Sequence, residues 1–500
     1  MSYSPTLSSG FAATQNRSKF TSPLSGMCSL CEESCSGPCE LGLAAVLGAK
    51  TVYPTTTGAN QIASEKVYPL DYSHFNINGR AFGAVGTEAA YESAAIYNVN
   101  LAVEYGTLHK VKLAMPIILP ALIKLNWQDY FAGAAMAGVT CMVGEDAKSK
   151  DKNLKIENDK IVDFPFLGEI LDSFRRYYRG YGQIVPQCNV EDDMLGVPEI
   201  AIQKYGAEAI EFKFGQSAKG TQPVNRLSGL EEALQKQQMG FLVHPDPSSP
   251  EVQQAYADEV CPNFNMYGRL PLWEEAFFEE RLAALRALGM KNVYFKMTGF
   301  DPIDIQHVLR IAAKNKVDMV TFDGAGGGSG YSPCKMMNEW GLPTVVLESH
   351  IVRIAHILQS EGLELPAIAV TGGFASEDGV FKALALGDGN VKAVGLCRAS
   401  MAAAMSAKNI GAAIADGNIP AHLAQYGTTV QEIFADLPDL RALYGKEANN
   451  FPPGAIGVFS YLNKIAFGVR HFGALNRKFD ISFFNKADLI PLTQAAADLL

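Results

Sequence analysis

From Lys112 onward, short apolar runs alternate with longer amphipathic stretches. The runs are "AMPIIL" (Ala114–Leu119), "VTCMV" (Val139–Val143), "QIVPQ" (Gln183–Gln187), "AIEFKF" (Ala209–Phe214), "VYFKM" (Val293–Met297), "DMVTF" (Asp318–Phe322), "AIAVT" (Ala367–Thr371) and "AVGL" (Ala393–Leu396). Short apolar runs bounded by Gly, Asp or Asn are the pattern of buried parallel strands. Between most of them the apolar spacing becomes helical. "NWQDYFAGAAMAG" predicts a helix with Asn126 as its N-cap. "DPIDIQHVLRIAAKN" predicts another, capped by Asp301 with Pro302 at the first helical position. "SEDGVFKALALGDG" links the seventh run to the eighth. Eight strand–helix alternations place the chain in the α/β class and predict a (β/α)8 TIM barrel over residues 108–410. A doubly wound open sheet gives the same alternation; the strand count favours the barrel.

Two long stretches break the rhythm. Lys148–Arg179 is charged and Tyr-rich toward its end, and is a candidate lid. Gly220–Gly289 carries "HPDPSSPE" and then a helical pattern from about Trp273. Insertions that follow barrel strands lie over the active-site face. Outside the barrel, residues 1–27 read as a flexible Ser-rich arm and residues 28–107 as an N-terminal cysteine-rich, cluster-binding segment. Residues 411–500 read as a C-terminal helical extension packed on the barrel.

Composition narrows the function classes. Hydrophobic residues make up 48% and charged residues 19% of the 500 positions, an ordinary globular balance. The formal net charge is −10 with no basic block, which argues against nucleic-acid binding. No apolar run approaches the ~18 residues of a membrane span, and the polar N-terminus lacks a signal-peptide core, so a cytoplasmic protein is expected. Nine cysteines do not make a disulfide scaffold at this length.

The predicted strand ends are unusually polar. Strand two runs into Gly144, Glu145 and Asp146; strand three closes on Gln187. Strand four contains Lys213 and continues into "GQSAKG" with Gln216 and Lys219; strand five contains Lys296. Strand six ends in "DGAGGGSG" from Asp323 and Gly324, strand seven in Gly372 and Gly373, and strand eight in Gly395, Cys397 and Arg398. A lysine inside a buried strand is costly unless paired. Lys213 and Lys296 therefore point to bound anions, or each reaches past the strand end to an acidic neighbour such as Glu145. Glycine turns after the last two strands, followed by a helix N-terminus, form an anion site, and barrels commonly hold a phosphate there. "DGAGGGSG" lacks the spacing and acidic partner of a dinucleotide loop.

Together these segments resemble the FMN-binding synthase domain of the glutamate synthase family, over about residues 105–495. "IEFKFGQSAKG" is similar to that family's I-K-x-x-Q-G-A-K-P-G segment, with Ser217 replacing a glycine. "GED" resembles G-E-G-G, "VYFKM" resembles S-I-K-L, and "FDGAGGGSGYSP" resembles G-H-D-G-G-T-G-A-S-P with insertions. "VTGGF" and "AVGLCRASM" resemble its two phosphate-binding loops, and "FFNKADLIPL" the end of the domain. The resemblance implies FMN on the barrel's top face, with 2-oxoglutarate beside it for reductive amination. Carried over by position, Lys213, Gln216 and Lys219 contact substrate carboxylates or flavin, and Lys296 sits by the flavin ring. Gly372, Gly373, Gly395 and Arg398 hold the phosphate. Gln187, Asp323, Gly324 and Cys397 complete the candidate cofactor set, and Glu145 is a candidate for proton transfer or for linking cluster and flavin.

Three departures shape the expectation. There is no glutaminase domain, so ammonia or a small amine comes free or from a separate glutaminase subunit. The family's three-cysteine cluster motif is replaced by "MAAAMSAKNIGAA" after the last strand. And "MCSLCEESCSGPCE" places Cys28, Cys31, Cys35 and Cys39 at C-x2-C-x3-C-x3-C near the N-terminus. Four close cysteines suffice for one [4Fe–4S] cluster, fed by a ferredoxin or an NAD(P)H-oxidising donor. Zinc, which more often uses two separated C-x2-C pairs, and free or paired thiols are the alternatives. Of the other cysteines, Cys141 and Cys188 read as packing residues. Cys334 reads as a helix-start residue or a catalytic thiol. His244 in "HPDP" reads as a surface-loop residue, with reach to the top face from its insertion as the alternative. The expected activity is FMN- and iron–sulfur-dependent amination of a 2-oxo acid, with a homo-oligomer possible. An N-methylglutamate synthase-like enzyme and a non-catalytic electron-relay subunit are the alternatives.

Overall fold

The computed structural model describes residues 45–46, 68–90, 92–123, 126–214, 225–261, 263–269, 274–298, 301–324 and 341–500. Its centre is a closed barrel of eight parallel strands: β1 (Ile117–Leu122), β2 (Thr140–Val143), β3 (Ile184–Cys188), β4 (Ala209–Lys213), β5 (Asn292–Thr298), β6 (Met319–Asp323), β7 (Ala367–Thr371) and β8 (Val391–Gly395). Pairing of Val394 and Gly395 with Ile117 and Ile118 closes the ring. The open sheet is therefore excluded.

Seven strands lie within about two residues of their predicted runs, but β1 starts three residues later than "AMPIIL". The sequence reading stops before Pro120. The strand instead carries this proline through a register irregularity between Leu119 and Leu122, where no ladder hydrogen bond is needed from it. Helix α1 (Trp127–Ala137) follows β1. Asn126 precedes it in a left-handed conformation and makes no side-chain capping bond; its side-chain Oδ1 accepts from Lys408 Nζ at 2.8 Å. Helix α2 (Pro302–Lys314) starts as predicted, with the Asp301 carboxylate accepting from Ile303 N. Helices α3 (Glu377–Leu386) and α4 (Arg398–Ala415) flank β8.

Strand side chains alternate inward and outward. One inward row takes a residue from each strand: Ile118, Met142, Val185, Ala209, Tyr294, Met319, Ala369 and Ala393. These form the dry floor of the barrel. The hairpin Val103–Tyr105/Val111–Leu113 closes it from below by adding Val103, Tyr105, Val111 and Leu113 to the same cluster. Tyr105 Oη lies 2.9 Å from Thr140 Oγ1 and 2.8 Å from Tyr294 Oη, and the Tyr294 hydroxyl donates to Gln183 Oε1 at 2.7 Å. Asp318 anchors the hairpin by accepting from Thr107 N and Val293 N, each at 2.7 Å.

The stretch read as the first insertion contains a helix of the barrel's outer ring, Pro165–Arg175, which buries Leu167, Ile170, Leu171 and Phe174. The hairpin Lys155–Glu157/Lys160–Asp163 and the short helix Ala147–Lys150 precede it. The second insertion is a small three-stranded antiparallel sheet with its own apolar cluster of Leu227, Ala233, Phe264 and Met266. The predicted long helix spans Glu275–Ala287. Near the C-terminus, α5 (Pro453–Leu475) packs against α1 and α4. The contact is close because Gly133 and Gly457 carry no Cβ: one would lie 2.5 Å from Val458 Cβ, the other 2.2 Å from Ala407 Cβ. Leu489–Pro491 then pairs antiparallel with Phe75–Ile77, joining the two ends of the described chain.

Candidate functional site

Two residues beyond the apolar floor, the same inward positions carry Pro120, Gly144, Gln187, Glu211, Lys296, Thr321, Thr371 and Gly395. A further step adds Lys213, Thr298 and Asp323. The barrel interior thus turns from apolar to polar toward the C-terminal ends of its strands, the end at which barrel chemistry takes place.

The charges there are paired. Lys213 Nζ lies 2.7 Å from Glu145 Oε1, and Asn189 Nδ2 donates to Glu145 Oε2 at 3.1 Å. Lys296 Nζ lies 3.2 Å from Asp323 Oδ2. Burial works against the Lys296 ammonium, but Asp323 and then Glu211 outweigh it and hold its pKa above the usual lysine value. Both lysines therefore reach acidic neighbours, and Glu145 is the partner named from the sequence for one of them.

Sequence reading missed Glu211. It is 1% exposed and accepts from Gln187 Nε2 at 2.5 Å. Burial raises its carboxyl pKa to about 7, against the pull of Lys296 and the Gln187 bond. The signal was present: in "AIEFKF", Glu211 and Lys213 share one strand face, while Ile210, Phe212 and Phe214 take the other, where Phe212 and Phe214 pack outward against Phe278. Beyond Glu145, Lys148 pairs with Asp192 and with Glu191 at 3.6 Å. Burial lifts the Asp192 pKa to about 6 even beside that ammonium. The hydroxyls of Thr298 and Thr321 are buried and have no hydrogen-bond partner among the described residues.

The β7 and β8 ends form the other half of the site. Gly372 and Gly373 have φ of +123° and +89°, which an L side chain rarely adopts. Nothing lies within 4 Å of where a Gly373 Cβ would sit, leaving backbone open to the barrel mouth. Gly395 differs, since its Cβ would meet Pro120 Cγ at 2.7 Å and Thr371 Cβ at 2.8 Å. Its glycine is required by packing. Gly324 is likewise hemmed in by Thr344, whose hydroxyl donates to Gly372 O at 2.9 Å. Arg398 opens the 18-residue helix α4, whose first N–H groups have no carbonyl partner one turn back. Cys397 precedes it, and its thiol pKa is raised by burial and drawn down by Lys296.

Residues 275–408 match the family model for the conserved region in glutamate synthase. The likeness read from the ordered motifs is to this same glutamate synthase family, and the matched segment contains β5–β8 with Lys296, Asp323, Gly372, Gly373, Gly395 and Arg398. No curated protein matches the chain. Among solved structures, a mandelate oxidase carrying a monooxide FMN adduct is 14% identical, with a TM-score of 0.42, over 84% of this chain and 88% of that one. A soluble mutant of the membrane-associated (S)-mandelate dehydrogenase from Pseudomonas putida is 12% identical, with a TM-score of 0.42, over 84% and 88%. An IMP dehydrogenase/GMP reductase-like protein from Corynebacterium glutamicum is 12% identical, with a TM-score of 0.46, over 84% and 93%. The closed strand register itself defines the barrel.

The structure gathers Glu145, Gln187, Lys213, Lys296, Asp323 and Gly324 at the barrel mouth, with Gly372, Gly373, Gly395, Cys397 and Arg398 at its β7–β8 side. Gln216, Lys219, Cys334 and the four cysteines Cys28, Cys31, Cys35 and Cys39 lie outside the described residues. Among the described residues no cluster of His, Cys, Asp and Glu could hold a metal ion, and no helix is long and apolar enough to cross a membrane. Cys141 and Cys188 are buried, as packing residues are. His244 is exposed and belongs to the small sheet, paired with Asn265, rather than to a loop.

Proposed function

We propose that the protein is an FMN-dependent oxidoreductase of the glutamate synthase type that reductively aminates a 2-oxo acid, 2-oxoglutarate, with ammonia or a small amine. The supporting observation is the make-up of the barrel mouth. Two lysines, two orphaned hydroxyls and an open glycine turn face one apolar-floored cup, and the segment forming half of it matches the glutamate synthase region. These groups fit a phosphorylated, partly anionic ring cofactor. Gly372, Gly373 and the N-terminus of α4 with Arg398 would take the phosphate through backbone N–H groups and charge. Lys296 would lie toward the ring, and Thr298 or Thr321 would gain a missing acceptor or donor. Lys213, with Gln216 and Lys219, would hold the substrate carboxylates, and Glu145 would receive or return a proton. FMN, when bound, supplies the hydride.

Cys28, Cys31, Cys35 and Cys39 are assigned to a [4Fe–4S] cluster that receives electrons from a ferredoxin or an NAD(P)H-oxidising partner. A separate glutaminase subunit as ammonia source and a cytoplasmic location belong to the same proposal. Anaerobic purification with an absorption spectrum and iron count tests both cofactors. Lys213→Met should then lower 2-oxoglutarate-dependent flavin oxidation at least tenfold; an unchanged rate removes Lys213 from the site.

A further inference from the structure

The charge inventory of the barrel mouth leaves Glu211 without a role in the flavin reading, on which this inference rests. The groups facing it come from every neighbouring strand. Gln187 on β3 donates to it, Lys213 lies two residues along on β4, Tyr294 and Lys296 stand on β5, and Asp323 is on β6. Cys397 approaches Lys296 from the β8 side. The Tyr294 hydroxyl is engaged below by Tyr105 and Gln183. Lys213 is paired with Glu145 and Lys296 with Asp323. Glu211 is the third carboxylate, and among the described residues no Lys or Arg forms an ion pair with it. Ionised, it is a 1% exposed carboxylate whose hydrogen-bond partner is an amide rather than an ammonium; protonated, it carries no charge there.

We propose that Glu211 is a proton-holding group that couples anion binding to proton uptake, so that the barrel mouth admits FMN with Glu211 in its neutral, protonated form. The physical reason is like-charge repulsion in a water-poor interior. The FMN phosphate, taken at the β7–β8 side, brings negative charge into this interior and opposes an ionised Glu211. The carboxylate then takes one proton from solvent, and no other bond changes. With its carboxyl raised by burial to about 7, Glu211 is available for this exchange at neutral pH. Gln187 serves as the positioning residue that fixes the carboxyl in either state.

The experiment titrates FMN into the cofactor-free full-length protein at pH 7, 8 and 9, following flavin fluorescence. The second ionisation of the phosphate, near about 6, is complete over this range. Wild-type Kd should rise toward about tenfold per pH unit, the slope of one coupled proton. Glu211→Gln should bind with a Kd that is flat across the same range. A flat wild-type profile, or a sloping one retained in Glu211→Gln, overturns the proposal. Should that variant not fold, the infrared difference spectrum of the wild type on FMN addition decides. A gained protonated-carboxyl band that shifts in D2O supports the proposal, and its absence overturns it. Failure to take up FMN at any pH overturns the flavin reading and this inference with it; flavin binding without the proton signature overturns the inference alone.

Discussion

Gly373 and Gly395 show how the same residue type serves two purposes at one site. Gly373 leaves open space at a φ of +89°, whereas Gly395 is held between Pro120 and Thr371. Gly373→Ala is therefore expected to fold with about 1–2 kcal/mol of backbone strain and to lose FMN affinity at least tenfold. Gly395→Ala is expected to lose about 1–3 kcal/mol of stability by overpacking. Denaturant melts and flavin titration of the two variants separate these outcomes. From sequence both read as phosphate-loop glycines, because the neighbours a Cβ would strike come from β1 and β7, far away in the chain. Lys213 and Lys296 were legible, since a cation in an apolar run is conspicuous. Glu211 was equally inward but stood two residues before Lys213, and a single strand gives no sign of what the neighbouring strands place opposite.

At the level of elements, the barrel strands were readable and the bounds of β1 were not. The eight apolar runs all became barrel strands, since parallel strands covered on the outside and filled on the inside need apolar residues on both faces. Pro120 misled the boundary of β1 because its missing N–H matters only where the ladder requires it. The floor hairpin was not legible at all. Val103–Tyr105 and Val111–Leu113 are three-residue strands whose apolar positions find their partners inside the barrel. The hairpin's hold depends on the Tyr105 hydroxyl, which meets Thr140 and Tyr294. Tyr105→Phe should cost about 1 kcal/mol by removing the bonds to Thr140 and Tyr294, whose hydroxyls keep only their bonds to Gln183. A thermal melt should show that loss, while FMN binding at the opposite end of the barrel stays unchanged.

For the molecule as a whole, the closed barrel buries carboxyl groups that hold protons more tightly folded than unfolded. Glu211 moves from 4.5 to about 7 and Asp192 from 3.8 to about 6. Their contribution favours the folded state most at low pH and is lost as pH rises through about 4–7, then levels off. Glu211→Gln should remove much of that slope, becoming more stable relative to wild type by up to about 3 kcal/mol between pH 5 and pH 8. Urea denaturation across this pH range checks the sign. The barrel was legible because alternation of strand and helix repeats through residues 108–410. The second insertion's sheet was not, because its short strands lie within a polar stretch and pack on a small core of their own. Every role given to the barrel mouth requires that it hold a flavin. Reconstitution of the purified protein with FMN, followed by gel filtration and an absorption spectrum, tests that most directly. One FMN retained per chain is the predicted result; a protein that elutes folded and colourless contradicts it.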